Sequence, residues 1–341
     1  MLTLDLLRKI DLKPIPYAQI FVADALLRFD YRLPKRTNIV IEGQENIPTE
    51  GKVFFAMNHT DKFNYFPFQY KLWRDKTGIF TATWVKGKYF NNPGIAQFMV
   101  MTNNIPTPSK GYILTSDVVQ TLGQAPSEEL YRLLRGEYNL APDQRDLEAL
   151  RAHAKTLGLL SQLDALLNTP REILTMPFAP STQGYFQTLD ALFSQMMEAF
   201  VSINEQAFDN GHKIIVFPEG TRSRVLTQGK TGLAQMALRM KATIVPIGCS
   251  GSDDLYPGSS PFSKGGDVVY RVGSPMTPED ALAPFQIDEP YVPFTREALA
   301  YQDKFRGMTD LVMDRISHLV DERYKPHAGD TTEVTGTDRF L

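Results

Sequence analysis

Four consecutive apolar residues, Ile214-Ile215-Val216-Phe217, run directly into Pro218. A run this short and this apolar reads as a buried strand. It stops at Pro218 because proline has no N–H to give to a sheet ladder. A carboxylate, a glycine, a hydroxyl and a guanidinium follow in consecutive positions, Glu219-Gly220-Thr221-Arg222. A turn of that composition suits an anion, since glycine lets the backbone come close and arginine offers a rigid fork of donors. Further strands are expected over 39–42, 53–56, 79–85, 244–247 and 268–272. Helices are expected over 64–74, 93–102, 186–209, from Gly229 to Met240, and as one long amphipathic segment over 298–324. Strands alternating with helices predict an α/β fold.

The chain has 341 residues, enough for one large domain or two small ones with a sizeable core. Its 43% hydrophobic and 22% charged content is that of an ordinary globular protein. A net charge of −3 provides no global basic field, which argues against nucleic acid as a partner. Cys249 is the single cysteine. A disulfide framework within one chain is therefore excluded, a reducing compartment fits, and the thiol is expected to be packed rather than nucleophilic. No stretch of about 18 apolar residues predicts a transmembrane helix, and the first residues lack the basic-then-apolar order of a signal peptide. No His/Cys/Asp cluster has metal-ligand spacing, so no metal or cofactor is expected.

The string Phe217-Pro218-Glu219-Gly220-Thr221-Arg222-Ser223 resembles the signature block of the glycerolipid acyltransferases, the 1-acylglycerol-3-phosphate acyltransferases and their relatives. Three further segments resemble the family's other blocks, in the family's order. Asn58-His59-Thr60-Asp61-Lys62-Phe63-Asn64 is similar to Asn-His-x-x-x-x-Asp except at its last position. The second block is matched more weakly, by Trp84–Phe90 running on to Asn104-Ile105-Pro106-Thr107, and the fourth by Ile244-Val245-Pro246-Ile247. The resemblance covers roughly 40–112 and 205–275. It implies a central mixed sheet flanked by helices, and transfer of a fatty acyl group from acyl-CoA or acyl-carrier-protein to a lysophosphatidic-acid-like acceptor. It also implies peripheral attachment to the inner, cytoplasmic face of a membrane. The rival expectation is a catalytically impaired, lipid-binding relative of the same fold.

Acyl transfer to an alcohol requires a base for the hydroxyl, donors for the developing oxyanion, and alignment of both substrates. His59 is the candidate base, since an imidazole titrates near neutrality. The family's orienting acid is replaced by Asn64, which can still accept the Nδ1 proton but lacks a charge to favour imidazolium. Asp61 is either a substitute acid or a cap for the following turn, and Asn58 either assists or ties down the turn. Arg222 is expected to bind the acceptor's acidic headgroup, with Gly220 and Thr221 supplying amides and a hydroxyl. Glu219 is expected to bind an acceptor hydroxyl or to hold Arg222. Lys110 is a shifted replacement for the family's second-block cation, and Lys86 and Lys88 are further cations of that block. His153, His212, His318 and His327 have no comparable context and are expected to be structural or exposed.

Three segments flank or interrupt this plan. Residues 1–36 read as two amphipathic helices, over 2–12 and 17–31, which either dock on a membrane or cover the core's own apolar surface. Residues 37–324 would form the acyltransferase domain. Within it, 113–198 reads as a helical insertion that either pads the core, makes a dimer contact, or caps the lipid site. Residues 325–341 are polar and read as a loose tail.

Overall fold

The computed structural model describes residues 1–326; all but the first two residues of the expected tail lie outside this range. Seven strands form one sheet: β1 (Thr37–Glu42), β2 (Val53–Met57), β3 (Thr81–Lys86), β4 (Asn104–Thr107), then β7 (Lys213–Val216), β8 (Thr243–Ser250) and β9 (Gly266–Val272). A separate hairpin pairs β5 (Arg171–Ile173) with β6 (Met176–Phe178). The order across the sheet is β1-β9-β8-β2-β7-β3-β4. All neighbours are parallel except β8 and β9, so the sheet is mixed, as expected.

Successive strand residues point to opposite faces, and both faces are covered. Phe54, Ala56, Ile214, Val216 and Ile244 join one core with the helices Tyr185–Asp209, Gly232–Met240 and Gln302–Ser317. Phe55, Met57, Ile215, Val245 and Ile247 join the other, under the helix Phe66–Arg74. Pro246 is tolerated within β8 because the ladder to β9 is broken opposite it. Ile244 exchanges both backbone bonds with Met276, and the Pro246 carbonyl accepts from Gly273. Residues 104–107 form an edge strand, a place where Pro106 costs no central ladder bond.

The long C-terminal helix is interrupted. A 3₁₀ turn over Glu297–Tyr301 leads into the helix Gln302–Ser317, and the chain then turns so that Tyr324 reaches the core. There the Tyr324 hydroxyl accepts from the Gly251 amide at 2.8 Å.

The N-terminal pair divides. The first helix, Leu4–Lys9, is shorter than expected and packs against Tyr185–Asp209, with Leu2, Leu4, Leu7, Ile10 and Leu12 buried in the core. The second stretch is helical from Tyr17 to Asp30, with a π-helical turn over Val22–Leu27. It leaves Tyr17 72%, Phe21 65% and Phe29 63% exposed. No helix among the described residues is long and apolar enough to cross a membrane.

The insertion contains the helices Lys110–Leu122, Glu128–Asn139, Leu147–Thr156 and Leu160–Asn168, followed by the β5–β6 hairpin. The leucine spacing over 147–167 belongs to two helices, because Gly158 turns the chain between them at φ +71°. Leu130, Leu134, Leu150 and Leu163 are buried in the same core as the sheet.

Candidate active site

The parallel strands β2, β7, β3 and β4 all end at one edge of the sheet, the usual place for a ligand crevice in such a fold. A cleft of about 900 Å³ opens there. His59 follows β2, Phe217 follows β7, Lys86 closes β3 and Thr107 closes β4, and all four line it. Gly220, Thr221 and Arg222 line it too, with Lys88 and Lys230. Trp84, Tyr89, Phe98, Met197 and Phe200 supply apolar surface.

His59 is held from all sides. Its amide donates to Glu219 Oε1 at 2.9 Å, and its carbonyl accepts from the Ser223 amide at 2.9 Å. These two bonds fasten the first block to the Phe217–Ser223 turn. The imidazole stacks on Phe217, with ring centroids 4.1 Å apart and planes 15° from parallel. Nδ1 lies 3.3 Å from Asn64 Oδ1. The Asn64 amide cannot be reversed without loss, because its Nδ2 donates to the Asn58 carbonyl at 2.7 Å. Asn64 therefore presents an acceptor to Nδ1, which carries the proton, and leaves Nε2 with the lone pair.

Burial brings the His59 pKa down to about 3. The Asn64 hydrogen bond opposes this, while the charges of Arg222 and Lys86 push it further down. The ring is accordingly neutral at physiological pH.

Asn58 is a structural clamp. Its Nδ2 donates to the Cys249 carbonyl at 3.0 Å and its Oδ1 accepts from the Cys249 amide at 2.6 Å. The side chain thus continues the β2–β8 ladder past Met57↔Ile247. Cys249 is fully buried, and burial pushes its thiol pKa well up, which makes it a packed residue.

Asp61 accepts from the Phe63 amide at 2.8 Å and from the Thr60 hydroxyl at 3.0 Å, the pattern of a turn-stabilising aspartate. The bond to the imidazole comes from Asn64. Glu219 bonds the backbone and side chain of the protein around it rather than Arg222 in the hydrogen bonds described. Besides the His59 amide it accepts from the Thr227 amide at 3.0 Å and the Thr227 hydroxyl at 3.1 Å, fully inside the protein. Burial raises its pKa to about 7 against these three bonds. Lys110 is not among the cleft-lining residues; its amine lies 3.7 Å from Asp190 and 4.6 Å from the centre of the Tyr138 ring.

Two contributors were not singled out from sequence. Phe217 looked like the end of a strand, and its stacking on His59 arises from chain segments 158 residues apart. Lys230 looked like part of a helix start. Gly220 sits at φ +67°, and a side-chain carbon there would meet Lys230 Cδ at 3.2 Å. Glycine lets the lysine stem lie across the turn.

Residues 184–250 match a family model described as Acyltransferase. The match spans the helix Tyr185–Asp209, β7, the Phe217–Ser223 turn and β8. No curated protein matches the chain. Among solved structures the chain is similar to the 1-acyl-sn-glycerophosphate (LPA) acyltransferase PlsC from Thermotoga maritima. The identity is 15%, over 88% of this chain and 83% of that one, with a TM-score of 0.36.

Proposed function

We propose, from the match of residues 184–250 to the Acyltransferase family model and the resemblance of the sequence blocks to the glycerolipid acyltransferases, that the chain moves a fatty acyl group from an acyl thioester to the free hydroxyl of a lysophosphatidic-acid-like lipid. The observation that carries this reading is the neutral His59, with Nδ1 bonded to Asn64, in the same cleft as Arg222, whose charge reaches the imidazole. In this reading Nε2 takes the proton of the acceptor hydroxyl as its oxygen attacks the thioester carbonyl. The tetrahedral intermediate collapses with loss of the thiolate, and the imidazolium returns the proton to sulfur. No enzyme nucleophile takes part.

Arg222, Lys86, Lys88 and Lys230 would meet the acceptor's phosphate. An anion placed there offsets the part of the His59 pKa depression due to Arg222 and Lys86, so the base strengthens when the acceptor arrives. The apolar wall suits acyl chains. A second apolar hollow, under the helical stretch from Tyr17, shares Val22, Leu27, Tyr65, Phe66 and Phe98 with the cleft. The exposed aromatic residues of that stretch would rest on the membrane that holds the lipid substrate.

The test is to incubate purified protein with acyl-CoA and a series of lysolipids, wild type and His59→Ala side by side. Esterified product that depends on His59 supports the reading; no product with any acceptor overturns it. A second reading, a lipid-binding relative that does not turn over, is favoured by one observation: a neutral amide stands where the family carries an acid. It predicts lysolipid binding without product in both wild type and Asn64→Asp.

A further inference from the structure

The helix Tyr185–Asp209 has a second polar site on the face that reaches the cleft. Asp190, Phe193, Met197 and Phe200 follow one another at steps of three and four, so they lie along one stripe. Met197 and Phe200 line the cleft. Asp190 lies about 10 Å back along the axis from Met197. Around Asp190 and Lys110 gather basic side chains from two further segments. Lys110 stands 3.7 Å from Oδ1, and Arg145 Nη2 donates to Oδ2 at 2.6 Å. Arg296 donates to the Leu140 carbonyl, and its charge reaches Lys110 together with those of Arg135 and Arg145.

Two features mark this cluster as built for an anion. Lys110, Arg145 and Arg296 bring three positive charges against the single carboxylate of Asp190 in the contacts described. Burial lowers the Lys110 pKa, helped by the charges of Arg135, Arg296 and Arg145, even though Asp190 opposes them. Secondly, the Arg145 side chain is only 7% exposed, yet its Nε and Nη1 have no hydrogen-bond partner. Buried guanidinium donors left unmatched cost stability unless an acceptor arrives.

The cluster also adjoins the cleft through two separate strands of chain. Pro108 and Phe294 line the cleft, and Lys110 and Arg296 follow them by two residues each. Two residues of chain span at most about 7 Å.

We propose that this cluster binds the phosphates of a coenzyme-A-type thioester donor, an assignment that rests on the acyl-transfer reading above. The acceptor's phosphate has its own cations beside His59. The other anionic group in such a reaction belongs to a donor whose phosphates are separated from the reacting carbonyl by a long flexible arm. A cluster about one helix-turn pair away from the cleft, on the same helix face, matches that separation. A recessed guanidinium suits a phosphate oxygen better than the broad acidic surface of a carrier protein.

The test uses the full chain and the double variant Lys110→Gln/Arg296→Gln, with thermal unfolding to establish that both fold. Binding of CoA is measured by calorimetry at two salt concentrations, and transfer is assayed with acyl-CoA and with acyl-pantetheine, which has no nucleotide phosphates. The expected result is about tenfold weaker CoA binding in the variant, with a shallower salt dependence. The preference for acyl-CoA over acyl-pantetheine in kcat/KM should fall by a similar factor while the KM for lysolipid holds. Asp190→Asn, which removes the competing carboxylate, should tighten CoA binding. Unchanged CoA binding and donor preference in a folded double variant overturn the site, even where acyl transfer itself is seen. So does a variant whose KM rises for lysolipid rather than for the donor. Loss of CoA binding in the variant, in a protein that esterifies no acceptor, upholds the site while overturning the acyl-transfer reading.

Discussion

Asn64 Oδ1 lies 3.3 Å from His59 Nδ1, and the orientation of its amide is set by a bond from Nδ2 to the Asn58 carbonyl. An aspartate at this position would set a second acceptor against that carbonyl. Asn64→Asp is therefore expected to lower stability by about 1–3 kcal/mol, measured by denaturant unfolding, and to raise the His59 pKa. Asn64→Leu removes the acceptor altogether and leaves Nδ1 unmatched. Its kcat should fall while lysolipid binding is kept.

Replacing His59 by alanine should reduce kcat by about 10²–10⁴-fold, the usual contribution of a positioned base. The side chain lines the cleft rather than the packed core, so the variant should remain folded by circular dichroism. A fall of less than a few-fold in a folded variant would remove His59 from the mechanism.

The pH behaviour of His59 has a definite sign. Its pKa is depressed from 6.5 to about 3 in the folded protein, so above pH 6.5 the ring is neutral both folded and unfolded. Between those values the unfolded chain gains a proton that the native state refuses, and native stability falls as pH falls. In the free protein the imidazole NMR signal should show no titration near 6.5. Addition of an anionic lysolipid should move its pKa upward.

Glu219 titrates in the opposite sense. Its pKa is raised from 4.5 to about 7 by burial, so its contribution to stability is full below pH 4.5 and is lost as pH rises through 7. Glu219→Gln should flatten that part of the stability–pH curve. It should also destabilise the protein by about 1–3 kcal/mol, since an amide nitrogen would face either the His59 or the Thr227 N–H.

Membrane contact, if made by the helical stretch from Tyr17, depends on its exposed rings. Tyr17→Ser/Phe21→Ser/Phe29→Ser should lose flotation with anionic liposomes while its unfolding temperature stays within a few degrees of wild type. Equal flotation of the two proteins would place the contact elsewhere.

Much of this arrangement was legible along the chain. The apolar run 214–217, its stop at Pro218 and the Glu-Gly-Thr-Arg turn set a strand end with an anion-binding composition. The helix expected over 64–74 put Asn64 at its start, two residues ahead of the observed helix Phe66–Arg74. Such features depend on neighbours in sequence, where proline geometry, side-chain alternation and short-range hydrogen bonding operate. The partner choices depended on tertiary structure. Glu219 and Lys110 looked equally available to a substrate, yet one is enclosed beneath the His59 turn and the other faces Asp190. The stacking of Phe217 on His59 and the gathering of Lys110, Arg145 and Arg296 each join segments remote in sequence. Parallel strand order and helix packing bring them together, and no local pattern encodes a contact whose two halves are set by separate stretches of chain.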